Sequence, residues 1–201
     1  MQRRTEGVAP RRLSKTERRR QLLETAHLIV REEGADRLSL GHLAERAGVS
    51  KPVAYDHFGT RSALLIELFR SIDMDQKNSL RTALSSGAKD LDTTAGTLAA
   101  AYVRCVTEST GVWHALGAAL GGSAEKDTVY QELLEDSVQM FANVLEPHST
   151  LPAAELQRRC AGLVGAGEAL SALMVRGTCS EAQASEAFAA LIRGGLTAPG
   201  D

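Results

Sequence analysis

Four side chains that can donate hydrogen bonds stand close together within residues 51–61, namely Lys51, Tyr55, His57 and Arg61. Ammonium, phenol, imidazole and guanidinium groups bind phosphate oxygens and the edges of bases. On a short helix these donors lie near one end, an arrangement that suits the major groove of duplex DNA. The spacing therefore predicts a DNA-binding element, while His57 has a second interpretation as a partly buried residue braced by the preceding turn.

The residues around these donors predict a helix, a tight turn and a second helix over residues 39–61. Leu43 and Ala47 fall on one face of the first helix, and Gly48 supplies the positive φ that a sharp turn requires. Ser50 is a suitable N-cap for the second helix, and Pro52 falls in its first turn, where a missing N–H costs little. Many helical hairpins that bind no DNA share this pattern, so the motif alone leaves both interpretations open.

The charge distribution separates the first third of the chain from the remainder. Residues 1–65 hold 13 Lys and Arg against 8 Asp and Glu, whereas residues 66–201 hold 10 against 17. A basic head on an acidic body is typical of a nucleic-acid-binding domain joined to a non-binding one, although chance clustering gives the same sums. Arg18 opens a run of three arginines, which either contact phosphates or form a solvated helix end. Residues 1–13 are predicted to be a disordered basic arm, and their contact with DNA is left open.

Taken together with the residues that surround the four donors, residues 16–65 resemble the DNA-binding domain of the TetR (tetracycline-repressor) family of bacterial transcription regulators. The sequence departs from the family pattern at Pro52, where glycine is usual, and at Asp56, where an aromatic or basic residue is frequent. The rest of the chain is similar to the family only in length and helical character. The matching residues are Ala26, Gly34, Leu43, Ala44, Ala47, Gly48, Val49, Ser50, Lys51, Tyr55, His57, Phe58, Arg61, Leu64 and Leu65. The residues expected to contact DNA are Arg18, Ser50, Lys51, Pro52, Val53, Tyr55, His57 and Arg61.

The predicted fold is all-α. It has an N-terminal three-helix helix-turn-helix DNA-binding domain at 14–60 and a larger C-terminal helical domain for ligand binding and dimerisation at 61–201. Capping boxes predict that helices begin after Ser14 and Ser180. In the second domain we expect helices over 92–110, 124–146, 152–176 and from Ser180 to Gly194, with a glycine-interrupted segment at 111–122.

A stripe of aromatic and polar residues in the second domain is a candidate effector pocket. Such stripes are often plain core, but the resemblance to the family implies a small apolar effector bound between these helices. The glycine-interrupted segment beside Trp113 would then move when the effector binds. The candidate ligand-binding residues are Tyr102, Cys105, Ser109, Trp113, Met140 and Phe141, with His114, Tyr130 and Glu168 as weaker candidates.

The last two predicted helices carry an apolar stripe that we expect to form a two-fold dimer interface. Small residues beside it, at Gly162, Gly165, Ala166 and Ala169, would let a neighbouring helix approach closely. The alternative is that these helices pack only within their own chain. The predicted interface residues are Leu156, Cys160, Leu163, Leu170, Met174 and Phe188.

Several other functions are disfavoured by the composition. Three widely spaced cysteines fit reduced thiols, and no CxxC or paired-histidine spacing predicts a metal site. No apolar run approaches the length of a membrane span, so we expect a soluble, cytoplasmic protein. We also expect no cofactor. An enzyme with a thiol pair of Cys105 and His114 would lack a third, orienting group. We expect a dimeric transcription regulator, a repressor rather than an activator, that an effector releases from a palindromic operator. The alternative is a dimer that organises DNA without binding a ligand.

Overall fold

The computed structural model describes residues 13–84, 90–119 and 124–196, without the side chains of 106–115, 117, 118, 124 and 126. The predicted arm, apart from Leu13, lies outside the described residues, as do the side chains of Ser109, Trp113 and His114. The described chain consists of α-helices and short 3-10 turns and contains no strand, which confirms the all-α prediction. The helices are α1 (Lys15–Glu33), α2 (Leu40–Arg46), α3 (Lys51–Phe58), α4 (Arg61–Leu84), α5 (Leu91–Ala119), α6 (Ala124–Leu145), α7 (Ala153–Val175) and α8 (Glu181–Gly195).

Both predicted capping boxes form. In α1 the Ser14 hydroxyl accepts from the Glu17 N–H, and the Glu17 carboxylate accepts from the Ser14 N–H at 2.7 Å. The same reciprocal pair joins Ser180 and Gln183 at the start of α8. These contacts satisfy N–H groups that have no partner within the helix, so the two helices begin where the sequence predicts.

The predicted break at 111–122 is wrong for the part that the structure describes, because α5 continues through to Ala119. A glycine inside a helix costs about 1 kcal/mol relative to alanine. Burial of one large apolar side chain contributes about 1.5–3 kcal/mol, and Leu116, in the last turns of α5, is fully buried. Tertiary packing therefore outweighs the low helix propensity of the glycines.

The chain divides into two compact units at the step from Leu64 to Leu65. In the first unit the core lies among α1, α2 and α3, around fully buried Leu22, Leu43 and Ala54. In the second unit α5, α6, α7 and α8 enclose a larger core in which Phe141 and Phe188 are fully buried. None of the described helices is both long and apolar enough to cross a membrane.

An aromatic cluster lies at the centre of the second unit. The ring of Tyr102 packs edge-on against Phe141, with 5.6 Å between centroids, and against Phe188, at 5.3 Å. Gly167 of α7 lies against this cluster: a Cβ there would lie 2.6 Å from Tyr102 Cε1 and 2.9 Å from Phe188 Cζ. The missing side chain at Gly167 is what lets the backbone of α7 approach the two rings.

Candidate DNA-binding site and effector cavity

The turn between α2 and α3 is built as the sequence predicts. Gly48 has a φ of +66°, and the N–H of Val49 donates to the carbonyl of Ala44 at 2.9 Å. Ala44 and Ala54 are buried where the two helices meet. The small side chains allow the close crossing, and the left-handed glycine provides the sharp change of direction.

The outer face of α3 exposes side chains suited to nucleic acid. Ser50, Lys51 and Pro52 are exposed at the start of the helix, and the side chain of Tyr55 is 53% exposed on the same unit. Val53 is half-buried. Ser50 occupies the N-cap position, but its side chain makes no capping hydrogen bond, so its hydroxyl is available beside the first N–H groups of α3. A phosphate at a helix N-terminus is stabilised by such groups.

The helix α1 braces α3 from behind through Arg19. Its guanidinium donates to the carbonyl of His57 at 2.8 Å and lies 5.0 Å from the centre of the Phe58 ring. Gln21 donates to the carbonyl of Ala47 at 3.4 Å, and Arg18 donates to Gln21. Of the arginine run at the start of α1, Arg19 therefore positions α3 within the unit. The sequence offers no signal that separates Arg19 from its neighbours, because the accepting groups are main-chain carbonyls.

Arg61 also points inward rather than to solvent. Its Nε donates to the carbonyl of Leu38 and its Nη2 to the carbonyl of Ala35, both at 2.7 Å. These carbonyls belong to the short 3-10 turn and its end between α1 and α2. Two charge-assisted hydrogen bonds to main-chain oxygens hold the first residue of α4 against that turn. The structure thus gives Arg61 a bracing role that the spacing of donors did not predict.

His57 fits its second interpretation, that of a partly buried residue. Among the described residues, no group forms a hydrogen bond with its buried Nδ1. Burial lowers the pKa of His57, and the nearby positive charge of Arg19 lowers it further. The imidazole is therefore neutral near pH 7. Of the donors Lys51, Tyr55, His57 and Arg61, only Lys51 and Tyr55 are exposed on the outer face of α3.

The second unit contains a cavity of about 310 Å³, within the range of small-molecule sites. Three of the six main ligand-binding candidates, Tyr102, Cys105 and Met140, line it, as do the weaker candidates Tyr130 and Glu168. Phe141 does not, because it is fully buried in the aromatic cluster behind Tyr102. The residues of the wall are Asp73, Gln76, Lys77, Leu80, Tyr102, Cys105, Tyr130, Leu133, Leu134, Ser137, Met140, Val164, Glu168, Ser171, Ala172 and Val175.

A pair of opposite charges in the cavity wall was missed by sequence reasoning. Lys77 and Asp73 are one helical turn apart on α4, with 2.7 Å between Nζ and Oδ2 and side chains only 8% and 11% exposed. Burial raises the pKa of Asp73, although Lys77 opposes that shift. The available signal was an opposite-charge pair at i and i+4, on the same stripe as the buried Phe69, Ile72 and Leu80. That pattern resembles an ordinary surface pair until burial is known.

Most of the predicted dimer-interface side chains lie instead in the core of their own chain. Leu156, Cys160, Leu163 and Phe188 are at most 6% exposed, and Leu170 and Met174 pack against the same core. The first four side chains therefore have little surface left to offer a second subunit, whereas Leu170 and Met174 are half-buried. Periodicity correctly identified the apolar stripe but not which neighbour covers it. Burial also raises the pKa of Cys160 to about 11, which leaves its thiol protonated and unreactive.

A different face of these two helices remains accessible. A groove between α7 and α8 is lined by Gly162, Ala166, Ala190, Leu191 and Gly194, with Arg159, Leu163 and Gly195 at its sides. Leu191 is 47% exposed there. The small residues noted in the sequence therefore lie at the surface, where a helix of another chain could approach.

Comparison with known proteins gives the first unit a family. Residues 22–68 match the model of the bacterial regulatory proteins of the tetR family. A stretch of 63 residues is 43% identical to the HTH-type transcriptional activator FasR of Mycolicibacterium smegmatis. That match covers 31% of this chain and 29% of the relative, so the chain matches less than a third of that relative's length.

Solved structures extend the similarity to the whole fold. A Rhodococcus sp. protein assigned to the TetR family of transcriptional regulators superposes with a TM-score of 0.74 at 18% identity, covering 90% of this chain and all of that one. The fatty acid degradation regulator FadR of Bacillus halodurans gives 0.68 at 18% identity, over 90% and 97% of the two chains. A tetR-family transcriptional regulator from Streptomyces coelicolor gives 0.68 at 20%, over 91% and 80%. Residues 22–68 therefore form a domain of the tetR family of bacterial regulatory proteins, and about nine-tenths of the chain shares the fold of these solved structures.

Proposed function

We propose that this protein is a sequence-specific DNA-binding transcription regulator that acts as a homodimer and responds to a small molecule. The observation that carries the proposal is the outer face of α3, where Lys51 and Tyr55 are exposed beside the uncapped start of the helix. Arg19 and Arg61 hold the helices behind this face through main-chain carbonyls. A rigid support with exposed donors is the arrangement that major-groove recognition requires.

The groove between α7 and α8 supports dimerisation through a second copy of the chain. Exposed Leu191 supplies apolar surface, while Gly162 and Ala166 allow close helix approach. A self-complementary face generates a closed two-fold dimer. Two heads would then read a near-palindrome whose half-sites are about 34–36 Å apart.

The cavity supports a role for an effector, and favours a regulator over a ligand-independent DNA-organising protein. A solid second unit would leave a small molecule no site, whereas about 310 Å³ of space is present. For a repressor, the effector must bind the DNA-free form more tightly than the DNA-bound form. A coupling of about 1–3 kcal/mol would lower operator affinity roughly 5–150-fold.

Selection of bound sequences from a random DNA library tests the proposal and returns the operator. We expect an enriched near-palindrome. Tyr55→Ala should then weaken specific binding by about 1–3 kcal/mol, because a major-groove contact is lost while the fold is retained. Leu28→Ala is the matched control, since Leu28 is 40% exposed on α1, away from the outer face of α3. Absence of any enriched sequence, or full operator affinity in a folded Tyr55→Ala variant, would refute this assignment.

Light scattering tests the dimer. The protein should have twice the mass of one chain at micromolar concentration, and Leu191→Glu should reduce it to one because a charge replaces apolar surface in the interface. Leu28→Glu introduces the same charge elsewhere and should leave the mass unchanged. A monomeric parent protein would exclude the two-fold arrangement.

A further inference from the structure

The cavity of the second unit has an excess of negative charge. Lys77, the one lysine among the described residues that line it, lies 2.7 Å from Asp73 Oδ2 and 3.7 Å from Asp136 Oδ2, so its charge is already paired with carboxylates. Lys77 Nζ also donates to the carbonyl of Leu133 at 3.4 Å. Glu168 adds a further carboxylate to the wall. An anion entering the cavity would therefore meet like charges and a cation already engaged with carboxylates.

Glu168 stands beside an aromatic ring. The hydroxyl of Tyr130 donates to both carboxylate oxygens of Glu168, at 3.1 and 3.3 Å, and both residues line the cavity. The Glu168 carboxylate can pair with an organic cation, and the hydroxyl oxygen of Tyr130 beside it can accept a hydrogen bond from an ammonium group. Glu168 is exposed, so this pair lies where the cavity meets solvent.

One buried polar group of the cavity has no partner among the described residues. Ser171 is 1% exposed and lines the cavity, and its Oγ makes no hydrogen bond to any described residue. A buried hydroxyl without a partner is costly, and a ligand with a hydrogen-bonding group would satisfy it. The remaining wall, including Leu134 and Met140, is apolar.

We propose that the effector is an amphipathic amine: a cationic ammonium group at Tyr130 and Glu168, an apolar body, and a hydrogen bond to Ser171. This inference rests on the proposed function for its regulatory meaning, but the binding it describes is measurable without DNA. It excludes fatty acids and other carboxylates as the preferred effector class, although one protein of similar fold is a fatty acid degradation regulator.

Calorimetry with three probes that share one apolar body tests the ligand class. The probes are 4-phenylbutylamine, 4-phenylbutanol and 4-phenylbutanoate, at pH 7. We expect the amine to bind about tenfold more tightly than the carboxylate, which corresponds to about 1.4 kcal/mol. Glu168→Gln should reduce this preference several-fold. Glu146→Gln, the same change at an exposed residue that does not line the cavity, should leave it unchanged.

The other calorimetric results each overturn the inference. If the carboxylate binds as tightly as the amine, the charge argument is wrong; if none of the three probes binds, the cavity does not take this class of ligand. A preference that Glu168→Gln leaves intact would refute the assigned ammonium site. Operator affinity is measured separately with the amine present. If the amine binds as expected but operator affinity is unchanged, the ligand class stands and the effector-responsive part of the proposed function fails.

Discussion

Replacing Gly167 by alanine tests whether the aromatic cluster requires a glycine in α7. The new Cβ would lie 2.6 Å from Tyr102 Cε1, and 2.9 and 3.1 Å from Phe188 Cζ and Cε1. These distances are too short for carbon atoms, so at least one ring must move. Phe188 is fully buried, which leaves Tyr102 as the ring able to shift, into the space of the cavity that it lines.

Two opposing contributions determine the size of the effect. Alanine gains about 1 kcal/mol over glycine inside a helix, through helix propensity. Overpacking a filled core costs about 1–3 kcal/mol, because side chains leave their preferred rotamers and the backbone adjusts. We therefore expect Gly167→Ala to lower the free energy of unfolding by about 1–2 kcal/mol, since two rings are contacted at once.

Urea unfolding at one protein concentration measures this change against a matched control. Gly96 lies inside α5, and a Cβ built there meets nothing within 4 Å. Gly96→Ala should therefore raise the free energy of unfolding by about 0.5–1 kcal/mol, because only the propensity contribution remains. If Gly167→Ala is as stabilising as Gly96→Ala, the two rings do not restrict the side chain at position 167, and a glycine is not required there.

Two further predictions concern buried polar atoms that have no hydrogen-bond partner among the described residues. The pKa of His57 is lowered in the folded chain. Below about pH 6.5, the pKa of histidine in an unfolded chain, the unfolded chain therefore takes up a proton that the folded chain resists. Unfolding free energy should fall as the pH drops from 7.5 to 5.5, and urea titrations of His57→Gln should show a smaller fall; an equal fall would contradict the assignment. Ser171→Ala removes this buried hydroxyl. The free energy of unfolding of the ligand-free protein, measured by thermal unfolding, should therefore rise by up to about 1 kcal/mol. A clear loss of stability would mean that the hydroxyl is satisfied.

Local signals in the sequence predicted local structure well. The capping boxes at Ser14 and Ser180, and the positive φ at Gly48, depend on residues within a few positions of each other, so the chain itself specifies them. Periodicity also identified the apolar stripe through Leu156 and Cys160. It could not show that this stripe faces the chain's own core, because a stripe records only which side of a helix avoids water.

Contacts between residues that are far apart in the chain could not be predicted from the sequence. Arg61 reaches carbonyls of residues more than twenty positions earlier, and a main-chain oxygen carries no mark in the residue type that bears it. The buried pair of Asp73 and Lys77 was hidden for a related reason: two opposite charges one turn apart are common on exposed helices. Only the surrounding packing distinguishes the wall of a cavity from a solvated face.

The supports of the helix-turn-helix have a consequence for how its specificity can evolve. Arg19, Gln21 and Arg61 all donate to main-chain carbonyls, at His57, Ala47, Leu38 and Ala35. Every residue type carries that oxygen, so the hydrogen bonds do not depend on the side chain at the accepting position. Substitutions on the outer face of α3 can accumulate and change the preferred DNA sequence while the scaffold behind them keeps its geometry. Divergence of target sites among descendants of this protein would then require no compensating mutation in α1.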